Sequence, residues 1–152
     1  MIVHGKRNNE FDDNFYIRRF NDKISLDTYM TVISEVHCGD SDETMFISEK
    51  TFKLVAAEHP FIVVGNKLTL KYLRDLGYQT FDPLIDETYD TIEDDDIRME
   101  HIVNELNRLC NLSDSELIAF TNNVKDIVEH NYNHFRNTSD YRVTKNVVEL
   151  LK

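Results

Sequence analysis

The chain has 152 residues, of which 41% are hydrophobic and 30% charged, with only four glycines and two prolines. This composition excludes collagen-like, low-complexity and wholly disordered proteins, and a chain of this length can bury enough apolar surface to fold without disulfides. The formal net charge of −11 opposes broad binding to DNA or RNA. A small anionic ligand is still compatible with that charge, because one cleft needs only a few cations and backbone N–H groups.

The sequence predicts a cytoplasmic protein without a membrane span, located in the host cytoplasm or the virion if the protein is viral. Its longest apolar run, Phe61–Val64, is far shorter than the roughly 20 residues that a spanning helix needs. The amino-terminal residues contain no secretory signal. Cys38 and Cys110 match no metal-binding spacing, so we expect reduced thiols.

Residues 1–28 have no clear periodicity and are predicted to form an irregular segment, followed by a single α/β domain over residues 29–152. Strand and helix patterns alternate over the first part of this domain. The predicted elements are a strand over 30–36, a helix over 47–58 with Ser48 near its N-cap, a strand over 61–64, a helix over 69–76 that Gly77 ends, and a short strand over 78–81.

This alternation predicts a small, mainly parallel sheet of three or four strands flanked by helices, similar to half of a Rossmann-like fold. Ligands of such sheets bind beyond the carboxyl ends of the strands. Those ends lie after residues 36, 64 and 81 in this sequence.

The second part of the chain is predicted to be helical. Residues 82–96 contain eight acidic residues and are predicted to form a solvated surface loop that leads into a helix over 97–109, with Val103 among its buried residues. Ser113 and Glu116 have the spacing of a capping box, which predicts a helix from Ser113 to about Phe135. A last short helix is predicted over 141–151.

The most informative motif is Phe46-Ile47-Ser48-Glu49-Lys50, which follows a strand and a loop and begins a helix. The first-turn N–H groups and Lys50 could meet a phosphate, Glu49 could bind a ribose diol, and Phe46 could cover a ring. On spacing alone, the simpler interpretation is a capped helix with Glu49 and Lys50 in solvent.

The order of these segments resembles the carboxyl-terminal half of GT-B glycosyltransferases. The matching segments are Thr31–Glu35, the Phe46–Lys50 motif and Pro60–Gly65, each followed by the expected loop or helix. The pattern is most similar to that of fucosyltransferase-type enzymes, whose signature is aromatic-x-[ST]-Glu-Lys and whose donor is a GDP-sugar. The likeness covers roughly residues 29–82.

The resemblance implies that the domain binds a nucleotide-diphosphate sugar as its donor substrate, with no metal and no further cofactor. It implies that Glu49 binds the ribose, that Lys50 binds phosphate and that Phe46 lies near the base or the sugar, where the family commonly has tyrosine. Ser48 belongs to the same motif, and Glu35 matches a glutamate near the donor site. A phosphate-binding arginine upstream in the family corresponds to Arg18 or Arg19.

A GT-B enzyme has two halves with the active site between them, and this chain has room for one. The catalytic base is therefore unassigned, and the missing half would come from a longer chain, a protein partner or a second copy of this chain. The alternative is a non-catalytic interaction or assembly protein, for example a phage or viral component, built on a glycosyltransferase half-fold. The sequence leaves open whether the protein is an enzyme.

Three further groups of residues contain side chains of the kind found in metal sites or at nucleophiles, but a purely structural explanation is simpler for each. His130 and His134 are four residues apart on a predicted helix but have no third metal ligand in the pattern. His37 and Cys38 are adjacent, and adjacent side chains rarely point together. The acidic residues after Asp82 lack the glycine-containing pattern of a calcium-binding loop.

Overall fold

The structure is a computed structural model that describes residues 27–35 and 47–138. The predictions for residues 1–26 and for a helix over 141–151 lie outside these ranges. The described residues form an α/β fold with one two-stranded parallel sheet and four α-helices.

The sheet consists of β1 (Thr31–Ser34) and β2 (Phe61–Val64), which pair in parallel along their whole length. The predicted bounds of β2 are confirmed, and β1 is shorter than predicted. Backbone hydrogen bonds extend the pairing by one residue at each end, from Thr31 N to Pro60 O (3.0 Å) and from Glu35 N to Val64 O (2.9 Å).

Helix α1 (Glu49–Ala56) connects the two strands. The predicted N-cap is confirmed, since the Ser48 hydroxyl accepts a hydrogen bond from Lys50 N. One face of the helix is buried on the core, through Phe52, Leu54 and Val55. A tight turn then leads into β2.

Helix α2 (Thr69–Asp75) follows β2, and a 3₁₀ helix (Thr88–Thr91) lies after it. Gly77 has a φ of +95° and ends α2 as predicted, because glycine adopts this left-handed conformation without the steric cost that a Cβ brings. Leu70 and Leu73 are buried as expected, whereas Leu76 is exposed.

The predicted third strand is wrong: the described residues contain two strands, not three or four. Residues 78–81 form no ladder with either strand. Instead, the buried side chain of Asn131 accepts a hydrogen bond from Gln79 N (2.7 Å) and donates one to Gln79 O (2.8 Å). An amide side chain thus makes the contacts that a neighbouring strand would make, which explains why an apolar segment with strand-like composition forms no strand.

Two long helices complete the fold, α3 (Asp95–Cys110) and α4 (Asp114–Asn137). The predicted capping box at Ser113 and Glu116 is present. Val103, predicted to be buried, is 46% exposed. The predicted solvated acidic loop is wrong at two positions, because Asp90 is buried and Glu87 is largely buried within it.

Helix α4 packs on α1 and covers the core from the side. The ring of Phe52 on α1 stacks on Phe135 of α4 at 6.0 Å and contacts Tyr78 at 5.8 Å. The buried apolar core joins residues from every α-helix and strand: Ile33, Leu54, Val55, Phe61, Ile62, Val63, Leu70, Leu73, Phe81, Ile85, Tyr89, Ile102, Leu109, Phe120, Val124 and Val128.

Candidate functional site

The candidate site lies at the carboxyl end of the sheet, where β1 and β2 end next to the start of α1. We call residues 48–50, which form the N-cap and first two positions of α1, the Ser48–Lys50 turn. Because both strands run in the same direction, their last carbonyl groups and this turn share one edge of the fold.

Glu35 connects β1 to the turn. Its side chain is buried, and its Oε1 accepts hydrogen bonds from Ser48 N (3.1 Å) and from the Thr51 hydroxyl (2.9 Å). A carboxylate at a helix N-terminus is favourable because it meets unsatisfied N–H groups and the positive end of the helix dipole. Glu35 therefore fixes the turn from inside the fold.

The side chain of Lys50 extends back to the end of β1. Its Nζ donates a hydrogen bond to Ser34 O (2.8 Å), and the residue is exposed to solvent. Glu49 is exposed as well and forms an ion pair with Lys53 one turn later, with 3.7 Å between Oε1 and Nζ. The two charged residues of the motif thus lie at the solvent-facing side of the turn.

Lys50 differs from most other cations of the fold in having no carboxylate partner among the described residues. Six of the described cations form ion pairs: Lys53, Lys67, Lys71, Arg74, Arg98 and Arg108. The partner of Lys50 is a neutral carbonyl, so its positive charge is not neutralised by a neighbouring carboxylate within the described ranges.

The structure therefore brings together four of the predicted site residues: Glu35, Ser48, Glu49 and Lys50. Phe46, Arg18 and Arg19 lie outside the described residues. Two first-turn amides that could have met a phosphate already have partners within the chain, because Ser48 N donates to Glu35 and Lys50 N donates to the Ser48 hydroxyl.

A second carboxylate at a helix start was not foreseen. Asp90 is 2% exposed, and its two carboxylate oxygens accept hydrogen bonds from Leu70 N (2.8 Å) and Lys71 N (2.9 Å) in the first turn of α2. Arg74 Nη2 lies 3.4 Å from the same carboxylate. No local motif marks this cap, since Asp90 lies 20 residues after Leu70, from whose N–H it accepts a hydrogen bond.

Glu87 and Tyr89 extend this buried polar region. Glu87 accepts a hydrogen bond from Phe81 N (2.7 Å) and pairs with Arg74 Nη1 (3.1 Å). Burial raises the pKa of Glu87, against the opposing effect of these hydrogen bonds and of Arg74. Burial also raises the pKa of Tyr89, whose hydroxyl is hydrogen-bonded to the backbone of Val63. The region has the properties of a structural network that holds α2 on the 3₁₀ helix.

His130 and His134 contact the end of α2. Their Nε2 atoms are hydrogen-bonded to Gly77 O (3.1 Å) and Leu76 O (2.8 Å), and the two rings stack at 6.1 Å. Among the described residues, no group of three or more His, Cys, Asp or Glu side chains could hold a metal ion. The pair thus satisfies carbonyl groups at a helix C-terminus.

Comparison with protein-family models, with curated proteins and with solved structures finds no match in any of the three. In the part of the chain that the structure covers, none of the helices is both long and apolar enough to cross a membrane.

Proposed function

We propose that the protein is a glycosyltransferase-like domain that binds a nucleotide-diphosphate sugar at the Ser48–Lys50 turn. The single observation that carries the proposal is the position of the Lys50 ammonium group. It lies at the carboxyl end of β1, beside a helix N-terminus, and its partner there is the neutral carbonyl of Ser34. A diphosphate would replace this contact to a neutral carbonyl with an ion pair, in which donor and acceptor carry opposite charges and the interaction is stronger.

The residues around Lys50 have separate roles in this proposal. Glu49 faces solvent beside Lys50 and can accept hydrogen bonds from a ribose diol, while its ion pair with Lys53 restricts its orientation. Glu35 is buried behind the turn and holds it through Ser48 and Thr51. We therefore assign Glu35 a positioning role rather than a direct contact with the ligand.

If the domain takes part in sugar transfer, Lys50 contributes by stabilising the negative charge that develops on the departing diphosphate. A preorganised cation is most effective at the position where charge appears in the transition state. No metal is required for this step. The acceptor site and the general base belong to the missing half, supplied by a longer chain, a protein partner or another copy of this chain.

Calorimetry with GDP-sugars and UDP-sugars tests the proposal. We expect binding by the wild-type protein, at least tenfold weaker binding by Lys50→Ala, and partial recovery in Lys50→Arg. Lys125→Ala is the matched control, because Lys125 is an exposed lysine on α4 and also has no carboxylate partner among the described residues. Absence of binding at millimolar ligand, or equal binding by wild type and Lys50→Ala, would contradict the proposal.

The second candidate is the non-catalytic interaction or assembly protein. It is favoured by the observation that Glu35 and Asp90 already satisfy the starts of both α1 and α2 with carboxylates from the chain itself. It is also favoured by the apolar residues Leu68, Tyr72 and Leu76, which are exposed at four-residue intervals from the N-cap to the C-cap of α2. Light scattering combined with the calorimetry distinguishes the two functions. A stable assembly without nucleotide affinity supports the second, and binding of a nucleotide sugar by a monomer or an oligomer supports the first.

A further inference from the structure

His59 occupies the end of the sheet opposite to the Ser48–Lys50 turn. It lies between α1 and β2, its side chain is 7% exposed, and its backbone N–H donates to Leu54 O (3.0 Å). The next residue, Pro60, accepts the hydrogen bond from Thr31 N that begins the pairing of the two strands. His59 is thus buried at the point where α1, β1 and β2 meet.

The two nitrogens of the His59 ring have different surroundings. One is hydrogen-bonded to the backbone of Met30, the residue before β1. The other, Nε2, is shielded from solvent and has no hydrogen-bond partner among the residues that the structure describes. A neutral imidazole has one N–H donor and one nitrogen without a proton, so it suits this site. A protonated ring would place a second donor and a positive charge where no acceptor is available.

Within residues 27–35 and 47–138, no charged side chain compensates such a proton. Burial lowers the pKa of His59 and the Met30 hydrogen bond partly opposes that effect; no charged side chain contributes among the described residues. The titratable side chains on the elements that meet here are Asp27 and Tyr29 ahead of β1, Glu35 at its end, Glu49, Lys50 and Lys53 on α1, and Glu58 in the turn. Of these, Lys53 is paired with Glu49.

We propose that protonation of His59 opens the amino-terminal end of the sheet in mildly acidic solution, while the carboxyl-terminal end stays paired. The folded state holds His59 neutral, whereas the opened state allows the ring to bind a proton in water. The resulting stability is fully present above the usual pKa of 6.5 and is lost as the pH falls from there through the lower pKa of the folded state. This inference is independent of the proposed function.

Amide hydrogen exchange by NMR on the full chain tests the proposal, at about pH 7 and about pH 5.5, on either side of the usual histidine pKa. After correction for intrinsic exchange rates, we expect the amides of Thr31 and His59 to lose about threefold to eightfold more protection at the lower pH than the amide of Glu35. One group with a usual pKa of 6.5 can change an opening equilibrium by at most about eightfold over this interval. Glu35 is the internal control, because its N–H is bonded to Val64 O at the other end of the same strand pair. Equal changes at both ends, or no change, would overturn the proposal.

Two variants identify the responsible group. His59→Gln should abolish the acid-dependent difference between the two ends, whereas His101→Gln, which replaces an exposed histidine on α3, should retain it. If His59→Gln does not fold, the pH titration of the His59 ring resonances in the wild-type protein provides the test instead. A ring that titrates near the usual pKa of 6.5 while the strand ends remain protected would refute the proposal.

Discussion

The contact between Asn131 and Gln79 leads to a quantitative prediction about stability. Asn131→Ala removes two hydrogen bonds, of 2.7 and 2.8 Å, and leaves a backbone N–H and a backbone carbonyl without their partner. A partly buried polar group that loses its partner costs about 1–3 kcal/mol, and alanine recovers roughly 0.5 kcal/mol through its higher helix propensity. We therefore expect the free energy of unfolding to fall by about 2–3 kcal/mol.

Urea denaturation followed by circular dichroism measures this loss. With an m-value of about 2 kcal/mol/M, the midpoint should shift down by about 1–1.5 M. Asn133→Ala is the matched control, because Asn133 is an exposed residue of the same helix and undergoes the same change in helix propensity. It should leave the midpoint unchanged or raise it slightly.

A second substitution at the same position tests the explanation itself. Asn131→Asp keeps an acceptor for Gln79 N but places a buried carboxylate against Gln79 O, where the amide had donated. This variant should be less stable than Asn131→Ala at neutral pH and should recover on acidification, when the carboxyl group gains a proton and can donate. If Asn131→Ala and Asn133→Ala differ by less than about 0.5 kcal/mol, the hydrogen bonds do not hold this segment in place.

Three further substitutions test other parts of the structure. Asp90→Asn should lower the free energy of unfolding by about 2–3 kcal/mol in thermal denaturation, because an amide can accept only one of the two hydrogen bonds from the start of α2. Ser113→Ala should cost about 1 kcal/mol by loss of the capping box, whereas Asn122→Ala on the exposed face of the same helix should cost nothing. Glu87→Gln should change the pH dependence of stability: burial raises the pKa of Glu87 above 4.5, so its ionisation costs stability as the pH rises through that pKa. The stability of the wild type relative to this variant should therefore decrease over that interval in urea titrations at several pH values, and parallel profiles would contradict this explanation.

Local sequence was sufficient where local interactions determine the structure. Four consecutive apolar residues between Pro60 and Gly65 defined β2, and short polar side chains at Ser48 and Ser113 marked two helix starts. The left-handed conformation at Gly77 followed in the same way from the absence of a Cβ. At the two helix starts the group that satisfies the backbone lies within a few residues, and at β2 and Gly77 the residue types of the segment itself were sufficient.

Prediction failed where the deciding partner is distant in sequence. The segment around Gln79 has the composition of a strand, but its partner is a side chain 52 residues later. Asp90 lies in an acidic run that is typical of a solvated loop, yet its carboxylate is buried at a helix start. The turn of the candidate site was predicted from its motif, whereas the hydrogen bond that Thr51 donates to Glu35 joins α1 to the end of β1 and has no local signal.

The position of α4 also has a consequence for synthesis of the protein. The ring of Phe52 stacks on the ring of Phe135, and the ribosome adds Phe135 to the chain 83 residues after Phe52. At roughly 5–20 residues per second, the nascent chain waits roughly 4 to 17 seconds for that ring, far longer than a helix or a hydrophobic collapse takes to form. During this interval Phe52 lacks one of its two aromatic neighbours, so part of the apolar side of α1 is uncovered and can be bound by chaperones that recognise exposed apolar segments.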